Sequence, residues 1–192
     1  MENEELFKLL ASMYPISAAF SAAVENVLVR LSLPKNHTLV EPPNVASHVY
    51  FILSGFAVSY SYIKEKKSID WLWPAGEIIV SAKSFTERRP SNEFIELVQP
   101  CELVCISHKN LAKLFDSFPE THYLYRATMN QYFEHSRERL SDMKNLTALQ
   151  RYDKLTKRIS FIEQTLSQEQ IASYLGIAPQ SLSRMKRRSD RP

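Results

Sequence analysis

The amino-acid sequence predicts an α+β fold, and three observations predict it. Helical periodicity dominates both ends of the chain, short β-rich runs fill residues 31–108, and prolines and glycines mark the changes of texture. Many short strands between turn residues imply an antiparallel sandwich or barrel. A chain of 192 residues has room for one large domain or two small ones.

Residues 2–30 read as helical. Leu6, Leu9, Leu10 and Met13 share one face before Pro15 breaks the run, and a second helix is expected over 17–30. The β-rich runs that follow are HVYFIL, FAVSYSYI, IDWLW, EIIVSA, EFIELV and ELVCIS. FAVSYSYI alternates as a half-buried strand should. Cys101 and Cys105 fall on one face of the last run and read as buried free thiols. Two cysteines are too few for a zinc or iron–sulfur site of their own.

After Ser107, KNLAKLFDSF is a short helix stopped by Pro119. A run free of Pro and Gly then extends from Glu120 to about Thr147. One helix of that length spans about 40 Å at 1.5 Å per residue. It projects from a small domain unless it packs on something. Tyr125, Met129, Tyr132, Ser136, Leu140 and Met143 recur at steps of three and four and are expected to form a dimer seam. The alternative is packing on the chain's own β domain. Two more helical segments lead to Ser167.

The stretch SQEQIASYLGIAPQSLSRMKRR is the most informative. Ser167 opens S-x-x-Q, a capping box in which Ser167 and Gln170 satisfy each other's backbone N–H groups. Ile171, Ala172 and Leu175 face inward. Gly176 supplies the left-handed backbone that ends one helix and turns the chain at once. Pro179 suits the first turn of the next helix, where its missing N–H costs nothing. That helix turns Leu182 and Met185 to one side and Gln180, Ser181, Ser183, Arg184, Lys186, Arg187 and Arg188 to the others. A small residue at the crossing, a glycine turn and a basic second helix make a helix-turn-helix pattern. Its second helix fits the major groove, where Gln pairs with adenine and Arg with guanine, while the first helix crosses the backbone at Ser167 and Gln168. The alternative is an ordinary helical hairpin.

Charge agrees. Residues 143–192 hold ten Lys/Arg against four acids, whereas the remainder holds fourteen against seventeen. A basic end on a mildly acidic body points to a polyanion partner. No window approaches the ~18 apolar residues of a membrane span. The acidic start MENEELFKLL lacks a signal-peptide pattern, so a cytoplasmic location is expected.

With these residues in view, the sequence resembles the Crp/Fnr family of bacterial transcription regulators over nearly its whole length. The matching pieces are VYFILSGFAVSY, WLWPAGEII and TLSQEQIASYLGIAPQSLSRMKRR. The resemblance implies a cyclic-nucleotide-binding-like β-roll with flanking helices (1–118), a dimerisation helix (119–147) and a helix-turn-helix unit (148–192). It implies a homodimer on double-stranded DNA, RNA polymerase as a further partner, and no membrane role. The family's base-reading positions fall on Pro179, Gln180 and Arg184. No wing pattern follows the second helix, so phosphate contacts are expected from the basic tail and the helices before it.

In the family's cyclic-nucleotide binders a Glu takes the ribose and an Arg-Ser pair the cyclic phosphate. Here Gly76 and Glu77 match the preceding turn, but the Glu position falls on Ser81 and the Arg-Ser pair on Ser91 and Asn92. Arg88 and Arg89 lie on the wrong side of Pro90. A cyclic phosphate without its guanidinium is desolvated at a cost. Cyclic AMP is therefore not expected, and the effector is another small molecule or none. No N-terminal cysteine cluster is present, and His37, His48, His108, His122 and His135 show no ligand spacing, so neither metal nor haem is expected.

Two other functions compete. A cupin-like metal enzyme needs converging His and carboxylate ligands, and no H-x-H pair occurs. A small-molecule-binding or interaction module without a DNA role would leave the basic helix for a protein or a membrane, but Leu182 and Met185 make too small an apolar face for lipid. No catalytic nucleophile arrangement is evident, and an enzyme is not expected.

Overall fold

Two helices lead, α1 (Glu4–Met13) and α2 (Ala18–Glu25). Strands β1 (Val29–Leu33), β2 (Thr38–Val40), β3 (His48–Ser54), β4 (Phe56–Ile63), β5 (Lys66–Pro74) and β6 (Ile78–Ile79) follow. Helix α3 (Ala82–Glu87) separates them from β7 (Phe94–Leu97) and β8 (Cys101–Ser107). The chain ends in α4 (His108–Ser117), α5 (Pro119–Asn145), α6 (Ala148–Arg158), α7 (Ile162–Thr165), α8 (Gln168–Leu175) and α9 (Pro179–Ser189). This computed structural model describes residues 3–189.

The strands form two antiparallel sheets, ordered β1-β8-β3-β6 and β2-β7-β4-β5. Their inner faces meet in a core that includes Ile52, Ile79 and Leu103 from the first sheet and Ala57, Trp73, Ile95 and Leu97 from the second. Cys101 and Cys105 lie there as buried free thiols. The first sheet's outer face, with Phe51 and Val104, is covered by α1. Phe20, Val24, Leu114 and Leu124 from α2, α4 and α5 close over Ile106.

The second sheet's outer face carries the main surprise. Phe56, Val58, Tyr60, Ile69 and Leu72 share one core with Leu155, Ile159, Ile162, Leu166, Ile171, Ala172, Leu175 and Leu182 from the C-terminal helices. Residues 56–60 are consequently buried on both faces, whereas alternation alone predicts a half-buried strand. Each such side chain gains roughly 1.5–3 kcal/mol from burial, so the terminal helices are held firmly on the hairpin β4–β5. Polar links reinforce the contact. The Ile69 N–H donates to Ser173 Oγ at 2.9 Å, and Gln99 Nε2 donates to Thr165 Oγ1 at 3.2 Å. Arg139 of α5 donates to the carbonyls of Asp70 in β5 and Tyr174 in α8, tying three elements together.

Other corrections are local. The helix expected over 17–30 stops at Glu25, because Val29–Leu33 pairs with β8, setting Leu31 opposite Leu103. The run EIIVSA keeps only Ile78–Ile79 as strand, and α3 starts at Ala82.

Of the six residues expected to form a dimer seam, three pack on their own chain. Tyr132 turns onto its own β domain, where its ring stacks on Trp71 at 5.0 Å and its hydroxyl accepts from Trp73 Nε1 at 2.8 Å. The same hydroxyl donates to the Ile78 carbonyl at 2.5 Å. Met129 packs on the sandwich core, and the end of Met143 lies where a side chain on Gly176 would come within 3.3 Å. The two tryptophans set the helix rotation by claiming the aromatic at 132. What remains outward is Phe133, 60 % exposed, and Leu140, 57 % exposed, with Ser136 and Tyr125 also exposed.

Candidate nucleic-acid interface

Helices α8 and α9 are fixed to one another by backbone geometry. Ser167 N–H donates to Gln170 Oε1 at 2.9 Å and Gln170 N–H to Ser167 Oγ at 3.2 Å, completing the capping box. At the other end Gly176 adopts φ 67° and ψ 36°. Gly176 N–H reaches the Ser173 carbonyl and Ile177 N–H the Ala172 carbonyl, both at 3.0 Å. This pair of bonds is a Schellman closure, and its left-handed residue favours glycine. Arg151 closes the same helix end, with Nη2 donating to the Leu175 carbonyl at 3.1 Å and Nη1 to the Leu146 carbonyl at 2.7 Å. A guanidinium at a helix C-terminus suits both the orphan carbonyls and the dipole. Arg151 is therefore spent on structure.

Ala172 and Leu182 are wholly buried where the two helices meet. With Leu182 pointing in, Gln180, Arg184 and Arg187 point out and are exposed. Ser181 and Ser183 are half-buried at the margins of that face. Ser167 and Gln168 are exposed at the start of α8, although the Ser167 hydroxyl is engaged as the cap. Lys186 is tied in an ion pair to Glu163. The hydrogen bond from Lys186, helped by one from Tyr152, holds the Glu163 carboxyl below its ordinary value. The side chain of Arg188 lies outside the described residues. The exposed edge thus presents an amide and two guanidiniums in one direction, the donor types that suit base edges and phosphates.

The five effector residues do not converge. Gly76 and Asn92 are exposed. Glu77 pairs with Arg158 at 3.2 Å, joining the β5–β6 turn to α6. Only Ser81 and Ser91 come together, with their hydroxyls 3.4 Å apart and both side chains buried. What organises them is Glu93, which no motif in the sequence singles out. Ser81 Oγ donates to its carboxylate at 2.7 Å, and Ser91 Oγ donates to its backbone carbonyl at 2.8 Å. Burial pushes the Glu93 carboxyl above its ordinary value, opposed by the Ser81 hydrogen bond. Arg88 turns away, donating to the Ala46 carbonyl at 2.5 Å.

The histidines stay apart. His135 lies edge-on to Trp71 at 4.4 Å and touches Arg158. Burial, and then that guanidinium, lowers its pKa to about 4, so it is neutral at pH 7. Among the described residues no three His, Cys, Asp or Glu side chains gather to hold a metal ion. None of the described helices is long and apolar enough to cross a membrane.

No protein-family model matches the chain, and no curated protein matches its sequence. Solved structures do match its fold. The c-di-GMP responsive global regulator CLP from Xanthomonas campestris is 16% identical, with 90% of this chain and 91% of that chain covered and a TM-score of 0.69. FixK2 from Bradyrhizobium japonicum is also 16% identical, with 84% of each chain covered and a TM-score of 0.71. A candidate transcriptional regulator of the crp/fnr family from Eubacterium rectale is 14% identical, with 92% and 87% covered and a TM-score of 0.73. At these identities the likeness establishes a shared fold: a cyclic-nucleotide-binding-like domain followed by a long helix and C-terminal helices.

Proposed function

We propose that the protein is a sequence-specific DNA-binding transcriptional regulator of the Crp/Fnr type, acting as a homodimer in the cytoplasm. The observation that carries this is the pair α8–α9, locked by the Gly176 closure, with Gln180, Arg184 and Arg187 outward and Leu182 inward. Pro179 occupies the start of α9, where it has no side-chain donor for a base, so Gln180 and Arg184 do the reading. Arg187 and Arg188 supply phosphate contacts. Regulators such as CLP share the fold, and RNA polymerase is the further partner of such a regulator.

The dimer forms along α5. Phe133 and Leu140 lie seven residues apart, two turns of one helix, and both are exposed. Two copies of this stripe bury each other's apolar surface and set two recognition helices about 34 Å apart, one turn of duplex.

The sensor domain does not bind cyclic AMP. A half-buried carboxyl at Glu93 already holds the Ser81 hydroxyl, and no guanidinium stands at 91 or 92. A cyclic phosphate brought there meets like charge and no cation. On this reading the chain carries no resident cofactor or metal and is not an enzyme.

Selection from a random duplex library tests the proposal. The expected product is a pair of related half-sites whose affinity falls steeply with salt. A chain that enriches no sequence and binds duplex no better than an acidic protein of equal size contradicts it.

A further inference from the structure

An apolar cavity lies at the margin of the first sheet, where Phe51 and Val104 of its outer face meet Tyr50, Val80 and Phe85 of the sandwich core, and none of Glu77, Ser81, Ser91 or Glu93 lines it. It holds about 130 Å³ between β3, β8 and helices α1, α2, α3, α4 and α5. Its walls include Leu10, Val24, Phe51, Val104, Leu124 and Met129, and no charged side chain lines it.

The threonine hydroxyls on its walls are already used. Thr121 Oγ1 donates to the Leu114 carbonyl at 3.0 Å, and Thr128 Oγ1 donates to the Leu124 carbonyl at 2.9 Å. Thr86, at the exposed edge, donates to the Ala82 carbonyl at 2.8 Å. Burial pushes the Tyr50 hydroxyl up to about 12, so it stays neutral. An occupant finds dispersion contacts here and no charged side chain to pair with. Protein interiors are close-packed, and an unfilled space of this size forfeits those contacts. An apolar cavity of about 150 Å³ stays dry and admits a benzene-sized molecule. Thr86 and Tyr125 are lining residues that reach solvent, which gives a way in.

We propose that this cavity is a binding site for a small neutral apolar molecule, a monocyclic aromatic of benzene to toluene size. Binding here does not depend on the DNA-binding proposal.

The test is a methyl-resolved NMR titration of the full chain with toluene, with benzoate as the charged control on the same ring. Expected are saturable shifts at the methyls of Leu10, Val104 and Met129, with benzoate at least about tenfold weaker because its carboxylate has no partner. Val104→Phe fills the space and should abolish the shifts at the other two residues. Leu10→Ala enlarges it and should keep toluene binding while admitting naphthalene, so either variant reports if the other fails to fold. Shifts that never saturate, shifts centred elsewhere, or benzoate bound as tightly as toluene would overturn the assignment. Failure of the duplex selection leaves these shifts unchanged, so the two proposals fail separately.

Discussion

The cluster around Glu93 and the terminal helix pair each gather three polar side chains and use them in opposite ways. Around Glu93, two serine hydroxyls turn inward and are consumed by one residue's carboxylate and carbonyl. On α9, Gln180, Arg184 and Arg187 are held by the backbone beneath them, while their side chains face water. A buried polar group must be paired to avoid a desolvation cost, so a pocket that pairs its own groups has few left for a ligand. A surface whose donors are largely exposed exchanges water for a partner at little cost, even with Arg184 Nε donating to the Gln180 carbonyl at 3.4 Å. The difference separates a buried cluster that pairs its own groups from a surface that keeps its groups available.

Four perturbations break or sharpen this contrast. Leu182→Ala attacks the support beneath the outward face. It removes a wholly buried side chain at a shared core, and a loss of about 2–5 kcal/mol in unfolding free energy is expected by denaturant titration. Because that core includes β4 and β5, the two halves should melt together. A separate early transition for the C-terminal helices would count against the shared core.

Phe133→Asp places a charge on the exposed stripe of α5. Dimer affinity should fall at least about tenfold by sedimentation, from the loss of apolar burial and the repulsion across a two-fold seam. Tyr132→Phe should leave dimerisation unchanged, since that ring faces the chain's own tryptophans. An effect of Tyr132→Phe equal to that of Phe133→Asp would restore the original seam.

Arg187→Ala should weaken binding to all duplexes alike and reduce the slope of log affinity against log salt by about 0.9. A change in base preference would move Arg187 from phosphate to base.

Glu93→Gln tests the buried cluster. The folded chain raises this carboxyl above its ordinary value of 4.5, so it keeps a proton that the unfolded chain releases. That contribution to stability is fully present below pH 4.5 and is lost as pH rises through the folded value. Wild type should therefore lose more stability than Glu93→Gln from pH 4.5 upward. Identical pH profiles would mean that Glu93 is solvated.

Much of this was legible because it is local. A capping box, a left-handed glycine and a Pro- and Gly-free helix are written in neighbouring residues, and α5, α8 and the turn at Gly176 lie where those signals put them. The strands β1 and β2 were missed for different reasons. Val29–Leu33 follows a helix without a Pro or Gly break, and Thr38–Val40 is too short for a period to show. The double burial of β4 depends on helices about a hundred residues later, which alternation within the strand does not record. That Tyr132 turns inward and Phe133 outward depends on Trp71 and Trp73 across the fold. Glu93 reads as an ordinary strand-edge acid until α3 brings Ser81 over it. Arg151 counts toward the basic end, yet backbone carbonyls occupy it, as they do Arg139.

The most direct measurement is a quantitative competition of Arg184→Ala against wild type on the selected duplex and on its single-base variants, at one fixed salt concentration. A loss of about 1–3 kcal/mol on the selected site, with preference relaxed at one base pair per half-site and unfolding unchanged, is the predicted result. Full retention of affinity and of preference would remove α9 from the major groove.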